Sequence, residues 1–467
     1  MARRRGPVGP ELLVEVDRQG DRPLHEQLER ALREDIRSGR LRAGTRLPST
    51  RGLAGELGVS RGVVSEAYGQ LAAEGYLEIR QGAPVRVAAT VRAPVLHGPG
   101  PSLVQTYGYH FHPGLPDLAG FPREAWLRSV RTALRTAPLN AIGYGDPRGA
   151  LVLRETLAGY LARVRGTASD AEQMVVCAGF AAGFSLLCRV LHGQGVDRIA
   201  QEDPGWHTHR LIAEQAGLEI VPIPVDRDGI RIDALRDSDV PAVVVTPAHQ
   251  FPTGAVLARD RRTALLEWAE QGDRLIIEDD YDSELRYAGA AVGALQGLAP
   301  ERVVHLGSTS KRLAPGIRLG WMLLPSWLTW PVISAKAAED GGSEIIGQLA
   351  LADFTARGEL ERHLRRMRQR YRARREVLLR ALARSVPRVG VSDSGAGLYE
   401  LVELPSELDE SALLAAAAKR DLGLEGLSLH RFAASGPPAL VLGFANLSEP
   451  AIEHGVQLLA QAFGDVA

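Results

Sequence analysis

Only three of the chain's 55 basic residues are lysines: Lys311, Lys336 and Lys419. Lys311 sits in Ser308-Thr309-Ser310-Lys311, with Pro315-Gly316 just beyond and Arg318 seven positions on. An amine offers chemistry that a guanidinium does not. Arg stays protonated, whereas a desolvated lysine can lose its proton and form a Schiff base with an aldehyde. The hydroxyls of Ser308 and Ser310 and the guanidinium of Arg318 form a set able to hold a phosphate beside it. A plain surface lysine is the competing reading, and the Ser-x-Ser-Lys setting disfavours it.

A second cluster ends the apolar run Leu275-Ile276-Ile277: Glu278, Asp279, Asp280, Tyr281 and Asp282. So much negative charge at one strand end needs cationic partners. A carboxylate facing a pyridine nitrogen would keep it protonated and make the ring an electron sink. A metal site is the rival reading, but no His lies in the cluster. Ala178-Gly179-Phe180 opens a helix whose small residues let backbone N–H groups approach a phosphate. Trp206, in Glu202-Asp203-Pro204-Gly205-Trp206, is placed to stack on an aromatic ring or to pack in the core. His249 stands in Thr246-Pro247-Ala248-His249-Gln250-Phe251-Pro252-Thr253-Gly254.

These motifs need a scaffold. Apolar runs at 173–178, 198–201, 242–246, 274–278 and 303–306 alternate with helical patterns. That predicts an α/β unit with a mainly parallel sheet covered on both faces. Sites in such sheets lie at the carboxyl ends of the strands, where these motifs fall. The Arg-dense stretch 357–385 reads as a helix with a solvated face.

The first 90 residues read differently. Leu24, Leu28, Ala31, Leu32 and Ile36 recur at helical spacing. Pro48-Ser49-Thr50 caps a second helix, and Gly58-Val59-Ser60 turns into a third from about Arg61 to Glu74. Residues 76–80 and 84–87 alternate as two strands around Gln81-Gly82-Ala83. The whole is a helix-turn-helix with a winged hairpin. Ser60, Arg61 and Val63 begin the helix that enters a major groove, so Arg61 is the leading candidate for a base edge or phosphate. Thr50 and Arg51 are placed to grip phosphate, and Gly82 lies at the wing tip. A protein–protein winged helix is the alternative. Residues 91–107 are Pro-rich and read as a semi-rigid linker, leaving 108–467 as the second unit.

The Leu-Pro-Ser-Thr-Arg, Gly-Val-Ser-Arg and wing-entry pattern resembles GntR-type winged helices. The Lys311 stretch resembles the lysine segment of fold-type-I aminotransferases that bind pyridoxal 5'-phosphate. Together the chain resembles a MocR-type regulator of the GntR superfamily, a group that includes GabR and PdxR regulators. The resemblance implies that Lys311 holds the cofactor aldehyde, Asp279 its ring nitrogen and Tyr281 its phenolic oxygen. It also implies that Trp206 stacks on the ring and that Gly179, Phe180, Ser308, Ser310 and Arg318 surround the phosphate. Phe180 departs from the family's polar residue and loses one phosphate contact. Tyr144 is implied to reach the partner subunit's phosphate in a head-to-tail homodimer.

Two departures bear on catalysis. Phe251 replaces the usual Asn, with His249 or Gln250 as partial substitutes. The strand at 440–445 lacks the usual substrate-carboxylate Arg, with Arg431 nearest. A transcription regulator of vitamin B6, amino-acid or amine genes is therefore expected, sensing the cofactor or a small amino compound and binding operator DNA. A working aminotransferase with a DNA tether is the alternative.

Composition agrees with a globular chain of two or three domains: 45% hydrophobic, 24% charged, net charge -1. Residues 1–90 carry 15 Arg against 12 Asp and Glu, a modest excess. No apolar run reaches membrane-spanning length, and no apolar segment follows Arg3-Arg4-Arg5. Two cysteines, Cys177 and Cys188, in apolar settings fit a cytoplasmic protein.

Overall fold

A computed structural model describes residues 16–89, 107–287, 292–392, 395–433 and 436–466. The chain forms two compact units, Met1–Gln105 and Thr106–Ala467. The expected linker lies outside the described residues except for Tyr107.

In the first unit, helices Leu24–Arg37, Thr50–Leu57 and Arg61–Ala73 pack around Leu28, Leu32, Ile36, Leu53, Val64, Tyr68 and Leu71. Ser49 Oγ accepts from Gly52 N at 3.1 Å and Ser60 Oγ from Val63 N at 3.4 Å, so hydroxyls cap the second and third helices. Gly58 closes the second helix at φ +63°, a conformation glycine adopts without strain. The wing is shorter than expected: only Leu77–Glu78 and Arg86–Val87 pair, antiparallel. Pro84 has no N–H to give a ladder, and the returning arm bonds instead to residues 45–47, with Leu47 N donating to Val85 O and Val87 N to Thr45 O.

The second unit is built on an eight-stranded sheet. Its order is Met174–Cys177, Gly320–Leu323, Val303–Ser308, Leu275–Asp280, Ala242–Val245, Arg198–Asp203, Glu219–Asp226 and Gly229–Ile230. Five central strands run parallel. Gly320–Leu323 runs antiparallel to both its neighbours, and Gly229–Ile230 closes a short edge hairpin. Side-chain alternation feeds two cores. Val244 and Ile277 pack with helices Phe180–Gly193 and Ser326–Glu339; Val243, Val245 and Ile276 pack with Trp268 of Arg259–Gln271. Burial on both faces explains why these strands read as continuous apolar runs.

A smaller layer follows, with strands Gly390–Val391, Tyr399–Glu403 and Ala439–Gly443 against helices Glu359–Ser385, Glu410–Ala418 and Glu449–Val466. Most arginines of the Arg-rich helix are exposed, as its composition predicts, but some are tied to distant acids. Arg370 Nη1 and Arg374 Nη2 both reach Asp117 Oδ2, at 2.5 and 3.1 Å, and Arg375 pairs with buried Glu400. No described helix is long and apolar enough to cross a membrane.

Candidate functional site

The carboxyl ends of the central strands open into a cavity of about 330 Å³. Lys311, Ser308, Ser310, Arg318, Asp279, Tyr281, Trp206 and Phe180 all line it. Eight positions singled out in the sequence, scattered from 180 to 318, thus meet at one place.

Lys311 Nζ forms no hydrogen bond or ion pair among the described residues. It lies beside Gly114, where any β-carbon would come within 2.8 Å of the nitrogen; Gly114 also holds φ at +85°. Burial pushes the Lys311 amine below its usual range, while Asp279, Asp282 and Glu425 pull it back up.

Asp279 is buried. Its Oδ2 lies 3.0 Å from His209 Nε2, and its Oδ1 has no partner. Burial raises the carboxyl above its ordinary value, and His209 opposes that rise. The other carboxylates of the cluster each have partners, although Asp280 Oδ1, away from the cavity lining, also has none. Glu278 accepts from the backbone N–H of Leu295 and Gln296. Asp280 Oδ2 meets Arg165 and His305 at 2.8 and 2.9 Å, which holds it well below the usual carboxylate range despite its burial. Asp282 Oδ2 meets His249 Nδ1 at 2.8 Å. Among the described residues, no group of three or more His, Cys, Asp or Glu is arranged to hold a metal.

Arg318 lies across the start of helix Phe180–Gly193. Its Nη2 donates to Ala178 O at 2.7 Å, and its Nη1 is 3.2 Å from where a β-carbon on Gly179 would sit. Gly179 also adopts φ +86°. Arg318 itself adopts φ +56°, a left-handed conformation costly for a side chain of its size and one concentrated at functional sites. Phe180, Trp206 and His209 form an aromatic group, with centroids 5.1 to 5.8 Å apart.

Several expected residues stand elsewhere. His249 is sealed against Asp282 and does not line the cavity. Gln250 is spent on backbone, donating to Pro204 O at 2.9 Å and Phe251 O at 2.7 Å. Neither presents a polar group where Phe251 enters the wall. Arg431 donates to Gly436 O and Pro437 O, at 2.9 and 2.7 Å, and also stays out of the cavity. Tyr144 is fully exposed, beside a separate surface hollow shared with Leu151, Val152 and Ile345.

Tyr399, Glu425 and His112 also line the cavity and gave no sequence signal, and Thr246 was given no role. Tyr399 OH lies 3.1 Å from Tyr281 OH, which itself donates to His249 O at 2.9 Å. Thr246 sends both its N–H and hydroxyl to Glu202 Oε2, at 3.0 and 2.6 Å. Burial pushes Glu202 up to about 7. Glu425 and His112 complete the lining.

On the first unit, Arg51, Arg61 and Gly82 are exposed, with Thr50 and Val63 half-buried. Arg61 Nε lies 3.4 Å from Thr50 Oγ1, which ties together the first residues of the two helices.

Comparison with known proteins matches two family models. Residues 24–87 match the bacterial regulatory proteins of the gntR family, and 117–457 match aminotransferase class I and II. The probable rhizopine catabolism regulatory protein MocR of Rhizobium meliloti is 33% identical, covering 97% of this chain and 96% of its own. The chain belongs to the MocR-type transcription regulators. Another relative of this MocR-type chain is the pyridoxine biosynthesis regulator PdxR of Corynebacterium glutamicum, 35% identical over 91% of this chain and 92% of that protein. The second unit also resembles solved aminotransferases. Kynurenine aminotransferase of Pyrococcus horikoshii superposes with a TM-score of 0.71 at 26% identity, covering 78% of this chain and 92% of that one.

Proposed function

We propose that this regulator senses pyridoxal phosphate, or an amino compound reacting with it, at Lys311 and responds by changing its grip on operator DNA. One observation carries the reading: an amine and a carboxylate oxygen, both without partners, line one cavity. A buried unsatisfied carboxylate oxygen costs roughly 1–3 kcal/mol, and a ligand that supplies its partner recovers that cost.

The residues fit the cofactor. Asp279 Oδ1 would receive a protonated ring nitrogen, with His209 holding the other oxygen. Ser308, Ser310, Arg318 and the N–H groups after Gly179 would receive the phosphate. Phe180 and Trp206 would flank the ring. When bound, the cofactor supplies an aldehyde and an electron-withdrawing ring. Burial shifts the Lys311 amine toward its unprotonated, nucleophilic form, against the pull of nearby carboxylates.

Full turnover as an aminotransferase is disfavoured. Phe251 and the buried apolar strand Ala439–Gly443 stand where enzymes of this fold-type are expected to have Asn and, near the strand's start, Arg. On the first unit, Arg61 would read a base edge or phosphate, and Arg51 and Thr50 would grip the backbone. The protein would act as a homodimer. Leu139, Ile142 and Tyr144 are all more than half exposed, an apolar display that suits a subunit contact.

The test is chemical. Protein mixed with pyridoxal phosphate, reduced with borohydride and digested should carry the added mass on the Lys311 peptide. Lys311→Ala should carry none. Label on Lys336 or Lys419 instead would overturn the assignment.

A further inference from the structure

We propose that the small molecule read in this cavity is a cationic amine with no carboxylate, its ammonium received by Glu425. The inference rests on the reading above, in which the cofactor takes Lys311, Arg318 and Asp279.

Once those three groups are committed, Glu425 is the remaining charged side chain on the wall, apart from the imidazoles of His112 and His207. Its Oε1 is fixed by His430 Nε2 at 2.8 Å, and its side chain stays 21% exposed. Its charge already acts on the Lys311 amine. His112 commits Nδ1 to the Pro113 carbonyl at 2.8 Å. Burial, and next the neighbouring His430, push His207 below its usual range, which favours an uncharged ring.

Among the described residues that line the cavity, Arg318 is the only guanidinium, so none remains for an incoming carboxylate once the phosphate has taken it. Arg431 is held by two carbonyls of its own loop. The strand Ala439–Gly443 is buried throughout and turns Val441 against Phe251 and Tyr399. A carboxylate entering here would lose water beside a like charge and gain no cation. An ammonium would gain a charge-assisted hydrogen bond from a carboxylate that is already oriented. The site therefore selects by repulsion as well as attraction.

The experiment is calorimetric titration of the full-length protein loaded with pyridoxal phosphate. The probes are 1,4-diaminobutane and 4-aminobutanoate, chains of like length that share one amine and differ at the far end. The diamine should bind at least roughly tenfold tighter, the yield of one charge-assisted hydrogen bond. Glu425→Gln keeps the size and the His430 contact, and should bring the two affinities together. Glu425→Arg should invert the order. Circular dichroism and thermal melting report that each variant is folded. Equal or tighter binding of 4-aminobutanoate by the wild type overturns the proposal, as does a preference that survives Glu425→Gln. Failure of the cofactor to load would instead refute the parent reading.

Discussion

His209 Nε2 lies 3.0 Å from Asp279 Oδ2, with both groups buried, and the other oxygen of Asp279 has no partner. The histidine thus fixes the carboxylate's orientation and leaves one oxygen of this cavity-lining residue without a protein donor. Asp279→Asn keeps the shape and removes the charge. It should weaken pyridoxal phosphate retention roughly tenfold or more, the loss of one charge-assisted hydrogen bond. Equilibrium dialysis measures this. His209→Phe should lower the stability of the cofactor-free protein by about 1–3 kcal/mol, because Asp279 then has no protein donor. Unchanged retention in Asp279→Asn would remove this residue from the cofactor site.

Arg61 begins the third helix and Arg51 is the second residue of the second, and both are exposed. If Arg61 reads a base, Arg61→Ala should cost about 1–3 kcal/mol on the operator and far less on unrelated DNA. Arg51→Ala should weaken all sequences alike and make binding less salt-dependent. Anisotropy titrations at two salt concentrations separate these outcomes. Equal losses on operator and unrelated DNA for Arg61→Ala would reassign it to phosphate.

How much of this was legible in the sequence depended on distance along the chain. The Lys311 segment, the carboxylate cluster and the helix caps are local patterns, and the structure has Lys311, Asp279, Tyr281, Ser308, Ser310, Arg318, Trp206 and Phe180 on one cavity. The partners that complete the site come from far away. Tyr399 reaches Tyr281 across 118 residues, and His209 reaches Asp279 across 70. No local period records such a meeting. The Arg-rich helix does present its solvated face, but its ties were hidden for the same reason: the acid that Arg370 meets lies 253 positions earlier. The wing was over-read because alternation counts side chains, whereas Pro84 withholds a backbone donor.

Glu202 makes stability depend on pH in a definite direction. Burial pushes it up to about 7, from an ordinary value of 4.5. Below about 4.5 both folded and unfolded forms hold the proton. Between 4.5 and 7 the unfolded chain releases it first, so rising pH costs stability, and above 7 the loss is complete. Across that shift the contribution is a few kcal/mol. Glu202→Gln removes the term. Its melting temperature, compared with the wild type at pH 5 and pH 8, should show the smaller fall. An identical fall in both proteins would mean that Glu202 is already ionised in the folded state at pH 5.

The last prediction joins cofactor to DNA. A ligand changes operator affinity only if it binds two arrangements of the protein differently. If the chain pairs as proposed, those arrangements would be two spacings of the paired recognition helices. Typical couplings of about 1–3 kcal/mol correspond to roughly 5- to 150-fold in affinity. Saturating pyridoxal phosphate should therefore shift operator affinity within that range. Lys311→Ala should reduce the shift while leaving cofactor-free DNA binding intact. Leu139, 93% exposed beside Ile142 and Tyr144, tests the dimer arm of the argument. Leu139→Asp should yield monomers by sedimentation, weak operator binding and no response to cofactor. A monomer that binds the operator as tightly as the wild type would separate DNA reading from pairing. Wild-type affinity unmoved by saturating cofactor would instead leave the amine as the only signal.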